Sequence, residues 1–152
     1  SPNNDINTTP LIINDLIAFG DVKGSLYFIN KNNGHLVNKT NLNSSIFSGP
    51  IAFNNNLYVA NKIGQCSALD CRNYKIKWGY FTSNNIIADP AMGKGTVYFA
   101  SKQGKLFELD QNNGKLIHVY NTNCEIRNKP LIIGKNIMLG TWDGFLLYIK
   151  SQ

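Results

Sequence analysis

Apolar residues in this chain come in short runs separated by polar or glycine pairs. Leu11-Ile12-Ile13 is followed by Asn14-Asp15 and then by Ile17-Ala18-Phe19. The same order returns at Ile51-Ala52-Phe53, Asn54-Asn55 and Leu57-Tyr58-Val59, at Ala91-Met92-Gly93, Lys94-Gly95 and Val97-Tyr98-Phe99, and at Leu131-Ile132-Ile133, Gly134-Lys135 and Ile137-Met138-Leu139. A tiny residue closes the second run each time: Gly20, Ala60, Ala100 and Gly140. A third run covers 26–29, 66–69, 106–109 and 146–149, and a fourth lies at Leu36-Val37, Ile76-Lys77-Trp78 and Leu116-Ile117-His118. Runs this short, rich in aromatic and β-branched residues and bounded by Gly, Asn and Asp, predict strands; no stretch holds an apolar stripe at helical spacing. Asn33-Gly34 and Asn113-Gly114 predict tight hairpins, because both residue types tolerate positive φ.

The pattern recurs every 40 residues, as Pro10, Pro50, Pro90 and Pro130 show. Gly24, Gly64, Gly104 and Gly144 keep the same spacing, and so do Ile6, Ile46, Ile86 and Ile126. A four-stranded antiparallel meander repeated at this period predicts an all-β propeller, with each repeat one blade. The blades fall at about 8–42, 48–82, 88–122 and 128–150, and the last lacks its outer strand. Residues 1–9 correspond to the crossover between blades. About four blades suggest half of an eight-bladed ring: a piece of a larger propeller, or a chain whose self-association completes the ring. The repeat positions have structural readings. Proline suits the head of a strand, where no N–H is needed. The repeat glycine fits a hairpin position with positive φ. The tiny residue predicts close backbone approach between neighbouring blades.

Charge narrows the partners. The formal charge is +6, yet Lys and Arg are scattered, and the longest basic run is Lys75-Ile76-Lys77. No stacking platform of aromatic and basic residues appears, so a nucleic-acid partner is not expected. No apolar run is long enough for a transmembrane helix. Cys66, Cys71 and Cys124 are odd in number and irregular in placement, which argues against a disulfide framework or a zinc site; a Cys66–Cys71 bridge stays open. Cys66 replaces Leu26, Leu106 and Leu146 and reads as a small core residue. His35 and His118 form no metal pair, and His118 takes the slot of Trp78. Asp70 and Asp110 are repeat-equivalent and read as turn caps. Glu108 stands where the other repeats carry Phe28, Ala68 and Tyr148, and is expected to face solvent or a channel. No nucleophile elbow, phosphate loop or dinucleotide motif is present, so no catalytic, cofactor-binding or metal-binding residue is assigned.

The blocks from Gly20-Asp21-Val22-Lys23-Gly24-Ser25-Leu26-Tyr27 and from Val97-Tyr98-Phe99-Ala100-Ser101 through Gly104, Leu109-Asp110 and Gly114-Lys115 resemble the repeat of pyrroloquinoline-quinone-type propellers. Residues 70–78, from Asp70 to Trp78, match the later part of that repeat. The resemblance spans nearly the whole chain. It implies one of three kinds of protein: eight-bladed periplasmic quinone-dependent dehydrogenases that bind the quinone and calcium, eight-bladed BamB-type scaffolds without a cofactor, or a group of lumenal stress-sensor domains and assorted adaptors. The dehydrogenases carry an adjacent cysteine pair and repeated docking tryptophans. Here no two cysteines adjoin, and only Trp78 matches the tryptophan. The uniform unit is therefore more similar to the BamB type. That resemblance implies a non-catalytic protein-interaction scaffold, without cofactor, in the periplasm. It would hold the outer-membrane barrel-assembly machinery, anchored to the outer membrane by a lipid on a residue outside this chain. The alternative is a fragment of a quinone-dependent dehydrogenase. The loops expected to meet a partner are repeat-equivalent and lie on one face: Asp21 and Lys23, Lys62 and Ile63, Lys102 and Gln103, and Trp142 and Asp143.

Overall fold

A computed structural model describes residues 4–150; residues 1–3, Pro2 among them, and 151–152 lie outside the described residues. The short apolar runs are strands. The first sheet has β1 (Leu11–Ile13), β2 (Leu16–Gly20), β3 (Ser25–Asn30) and β4 (Leu36–Asn41) in sequence order. The second has β5 (Ile51–Phe53), β6 (Asn56–Ala60), β7 (Gln65–Asp70) and β8 (Ile76–Phe81). The third has β9 (Ala91–Met92), β10 (Thr96–Ala100), β11 (Lys105–Asp110) and β12 (Leu116–Asn121). The fourth has three strands, β13 (Leu131–Ile133), β14 (Asn136–Gly140) and β15 (Leu146–Lys150). All pairing is antiparallel, so each sheet is a meander, and no helix occurs among the described residues.

Each proline sits one residue before its innermost strand, where a missing N–H breaks no ladder. The outer pair carries the same irregularity in every complete blade. Phe28 pairs Asn38 while Ile29 pairs Leu36, which leaves Val37 as an extra residue; Lys77 and Ile117 are left over in the same way. Such a bulge bends and twists the outer strand, so the blades share one shape.

The sheets stack face to face through three apolar layers. Ala18, Leu26 and Phe28 of the first blade meet Leu57, Val59 and Leu69 of the second. Tyr58, Ala60, Ala68 and Trp78 meet Val97, Phe99, Phe107 and Leu109. Tyr98, Ala100, Leu106 and Tyr120 meet Ile137 and Leu139. The tiny residues do bring blades together, but against a side chain rather than backbone. A Cβ built on Gly20 would lie 2.6 Å from Cγ2 of Ile46. Ala60 shares a layer with Ile86, and Ala100 with Ile126, all fully buried. The repeated isoleucine is thus a wedge between each blade and the next.

Exposure differs between the outer repeats and the inner ones. Leu26, Cys66 and Leu106 are 0% exposed, whereas their counterpart Leu146 is 68% exposed. At the other end Ile6 is 43% exposed, against 0% for Ile46, Ile86 and Ile126.

Candidate protein-interaction face

The four turns between second and third strands, 21–24, 61–64, 101–104 and 141–144, are built alike. The first residue is Asp21, Asn61, Ser101 or Thr141, and its side-chain oxygen accepts the N–H four residues on: Ser25 at 2.8 Å, Gln65 at 3.0 Å, Lys105 at 3.0 Å and Phe145 at 3.1 Å. The second residue donates its N–H to the crossover before the blade: Val22 to Asp5, Lys62 to Ser45, Lys102 to Asn85 and Trp142 to Glu125, at 2.8–3.0 Å. The fourth is the repeat glycine, with φ between +78° and +90°. At Gly64 a Cβ would lie 2.4 Å from the Asn84 carbonyl oxygen, so glycine is needed both for its φ and for the crossover passing beneath it. These contacts hold the turns and crossovers together at one end of the arc. The third residue of each turn is left at the surface.

The expected partner residues divide on inspection. Lys23, Lys62, Ile63, Lys102, Gln103, Trp142 and Asp143 are exposed at this end. Asp21 is not: it is fully buried, and its carboxylate accepts hydrogen bonds from Asn4 Nδ2, the N–H groups of Lys23 and Ser25, and the Tyr27 hydroxyl. Burial pushes its carboxyl up, but those four donors outweigh it and hold the group below the usual carboxylate range. Asp21 serves the turn and does not present itself to a partner.

Several surface side chains are already engaged. The Arg127 guanidinium lies 3.9 Å from the centre of the Trp142 ring and donates to Glu125, which Lys102 also approaches at 3.9 Å. Gln103 Oε1 accepts the Asn85 N–H at 3.0 Å. Trp142 remains 64% exposed despite its arginine. Phe145, which the repeat reading passed over, is exposed beside it, at the position of Ser25, Gln65 and Lys105. An aromatic replacing polar counterparts was the available signal. With Ile63, these residues give a lysine-studded face its apolar content. That composition suits protein contact: aromatic anchors beside Arg, with a charged rim.

Elsewhere the titratable residues serve the fold. Glu108 faces neither solvent nor a channel. It is buried in the layer between third and fourth blades, where the Tyr98 and Tyr120 hydroxyls donate to its two oxygens at 2.8 and 2.9 Å. Sequence alone could not show that two tyrosines converge on it from both neighbouring strands. His118 packs its ring 4.4 Å from that of Tyr120, and His35 is exposed at its turn. Asp70 and Asp110 cap their turns, accepting the Arg72 and Asn112 N–H groups, and the Arg72 guanidinium holds the Asp70 carboxyl well below the usual range. Cys66, Cys71 and Cys124 are free thiols. Cys66 and Cys71 are buried in different apolar layers, and no group of His, Cys, Asp or Glu among the described residues could hold a metal ion.

The sequence profile of the family described as outer membrane protein assembly factor BamB matches residues 22–151. BamB of Shewanella oneidensis is 32% identical over 63 residues, 41% of this chain and 16% of that protein. Among solved structures, the computationally designed Ika4 protein superimposes with a TM-score of 0.89 at 14% identity, over 100% of this chain and 94% of that one. BamB from Moraxella catarrhalis gives 0.83 at 18% identity, over 97% of this chain and 47% of that one. A quinohemoprotein alcohol dehydrogenase from Pseudomonas putida gives 0.81 at 12% identity, over 93% and 29%. The chain thus spans less than half the length of the natural relatives it matches. At these identities the structural likenesses establish the fold.

Proposed function

This chain belongs to the family described as outer membrane protein assembly factor BamB, and from that premise we propose that it is a non-catalytic scaffold that binds a protein partner in outer-membrane β-barrel assembly. The observation that carries the reading is the end of the arc where four repeat-equivalent turns converge, with Ile63, Trp142 and Phe145 exposed among lysines. The turns are fixed by backbone hydrogen bonds to the crossovers, so the face is preorganised and little entropy is lost when a partner docks. The proposed location is the periplasm, at the outer membrane. Among the described residues no helix is long and apolar enough to cross a membrane.

The test is a pull-down of the barrel-inserting protein from detergent-solubilised outer membrane. Trp142→Ala should weaken capture by about tenfold or more, the scale of an aromatic hot spot, with the far-UV circular dichroism unchanged. Equal capture by the wild type and the variant removes this face from the proposal, and no capture by the wild type defeats the scaffold reading. The second reading, a dehydrogenase fragment, has the fold likeness behind it. Visible absorbance and calcium-dependent thermal stabilisation on adding the quinone would favour it over the scaffold.

A further inference from the structure

The side of the blades opposite the turn face has a character of its own. The strands form meanders, so the turns between first and second strands lie there beside the turns between third and fourth strands. The Lys31 N–H donates to the Asp15 carbonyl, that of Cys71 to Asn55 and that of Gln111 to Gly95, at 2.8–3.1 Å. At the bulge of each complete blade the outer strand begins with an equivalent tripeptide: His35-Leu36-Val37, Lys75-Ile76-Lys77 and Lys115-Leu116-Ile117. Every residue of the three is exposed. Lysines and bulges guard edge strands against pairing with other sheets, which accounts for Lys77. They do not account for Leu36, Val37, Ile76, Leu116 and Ile117, which are 43–57% exposed at the same three tips.

Charge is segregated between the two sides. In the three complete blades Lys31, Arg72, Lys75, Lys77, Lys94 and Lys115 stand on this side, against Asp15, Asp70 and Asp110. All three acids are engaged. Asp15 meets Lys31 at 3.0 Å, Asp70 meets Arg72, and Asp110 accepts the Asn112 and Asn113 N–H groups. With Lys135 and Lys150 of the fourth blade, eight cations stand against three anions, an excess of five in a chain whose net charge is +6. On the turn side the signs nearly cancel: Glu125 lies against Arg127 and Lys102, and Asp5, Asp89 and Asp143 are further acids there.

From this pairing of excess positive charge with exposed aliphatic tips we propose that the side opposite the turns rests on an anionic phospholipid surface, leaving the four turns pointing away from it. Lys and Arg are drawn to the negative potential of such a surface, and apolar side chains beside them enter the headgroup boundary. The distribution favours lipid over an acidic protein. The tips are repeat-equivalent, so they stand at one level, and they are spread along the outer rim, one to a blade. A plane touches all of them at once, whereas a protein site gathers its anchors in one central patch. The proposal goes beyond the scaffold reading and does not rest on it.

Sedimentation with vesicles tests this on the chain as it stands. Vesicles of phosphatidylcholine with about 30% phosphatidylglycerol should carry the chain down, and pure phosphatidylcholine should not. Raising the salt from about 0.1 M to about 0.5 M should release it. Lys75→Gln with Lys77→Gln should weaken binding by about tenfold or more, at about fivefold for each lysine. Lys105→Gln with Lys129→Gln removes the same charge from the turn side and should change binding little. Leu116→Ser with Ile117→Ser should weaken binding while leaving the charge untouched. None of these six side chains belongs to an apolar layer between blades, so the far-UV circular dichroism should be retained. No binding of the wild type to the anionic vesicles overturns the proposal and leaves an acidic protein as the candidate for this side. Equal losses in the two lysine pairs overturn the assigned side, since binding would then follow net charge alone. Full binding by the serine pair overturns the part given to the aliphatic tips. The vesicles hold no protein, so these outcomes are separate from capture of a partner by the turns.

Discussion

Gly114 has φ of +72° and Gly34 has φ of +71°, at the same point of the turn between third and fourth strands. Their surroundings differ. A Cβ on Gly114 would lie 2.5 Å from the Trp78 ring, whereas on Gly34 it would meet nothing within 4 Å. Alanine at either site carries the strain of a left-handed backbone, about 1 kcal/mol. Only Gly114→Ala must also displace Trp78, whose Nε1 donates to the Gln111 carbonyl at 3.1 Å and fixes the ring. Overpacking of this kind costs about 1–3 kcal/mol. Urea denaturation should therefore show Gly114→Ala destabilised by about 2–4 kcal/mol and Gly34→Ala by about 1 kcal/mol; equal losses would mean that Trp78 yields freely. Asn113-Gly114 announced a hairpin in the sequence, but the indole from the preceding blade did not, because that contact joins residues of different repeats. Tyr74 fills the same turn position in the second blade at φ of +61°. There the ring, 4.9 Å from that of Phe28, supplies packing that offsets the strain.

The hairpins between second and third strands show how one element tolerates different chemistry. Asp21, Asn61, Ser101 and Thr141 all supply an oxygen to the N–H four residues on. Only Asp21 among them is ionisable, and its carboxyl is held below the unfolded value, near pH 4. A group depressed in the folded state binds its proton more readily when unfolded. Its contribution is therefore complete above about pH 4 and is lost as the pH falls through the folded pKa. Asn61 shows that an amide can cap this turn. Asp21→Asn should accordingly fold and lose less stability than the wild type between pH 5 and 3, as read by denaturation midpoints across that range. An unchanged pH slope would assign acid sensitivity elsewhere, Asp70 with its Arg72 partner being the next group to vary. The strands themselves were legible, since their period of two and their turn residues are local signals. The fate of Glu108 was not: its partners, Tyr98 and Tyr120, lie on the two neighbouring strands, and the pattern that places strands does not say which side chains meet across them.

Across the whole molecule, the 40-residue period makes the blades legible in the sequence, and repeat equivalence places the four turns at one end. Phe145 was not legible as a surface residue, because it lies one residue past the turn, on a position that is buried or half-buried in the other repeats. The blade stack also sets the reactivity of the thiols. Cys66 and Cys71 lie within apolar layers, where burial pushes the Cys66 thiol far up and the Cys71 thiol, with Asp70 beside it, up to about 11. Cys124 lies in a crossover and is half-buried. A thiol reagent at pH 8 should thus label one cysteine promptly and all three only on unfolding. Rapid labelling of Cys66 would show that neighbouring blades part in the native state.

The isoleucine wedge has a consequence for architecture. Ile46, Ile86 and Ile126 sit at the same point of successive junctions, each against a glycine or alanine. The volume at that pair determines how steeply one sheet leans on the next. The lean of the array is therefore specified locally, once per junction. Enlarging Gly20 or trimming Ile46 would alter the lean at that one seam. Duplication can lengthen such an array freely, but only a total that matches this inherited angle leaves no sheet edge-on to water.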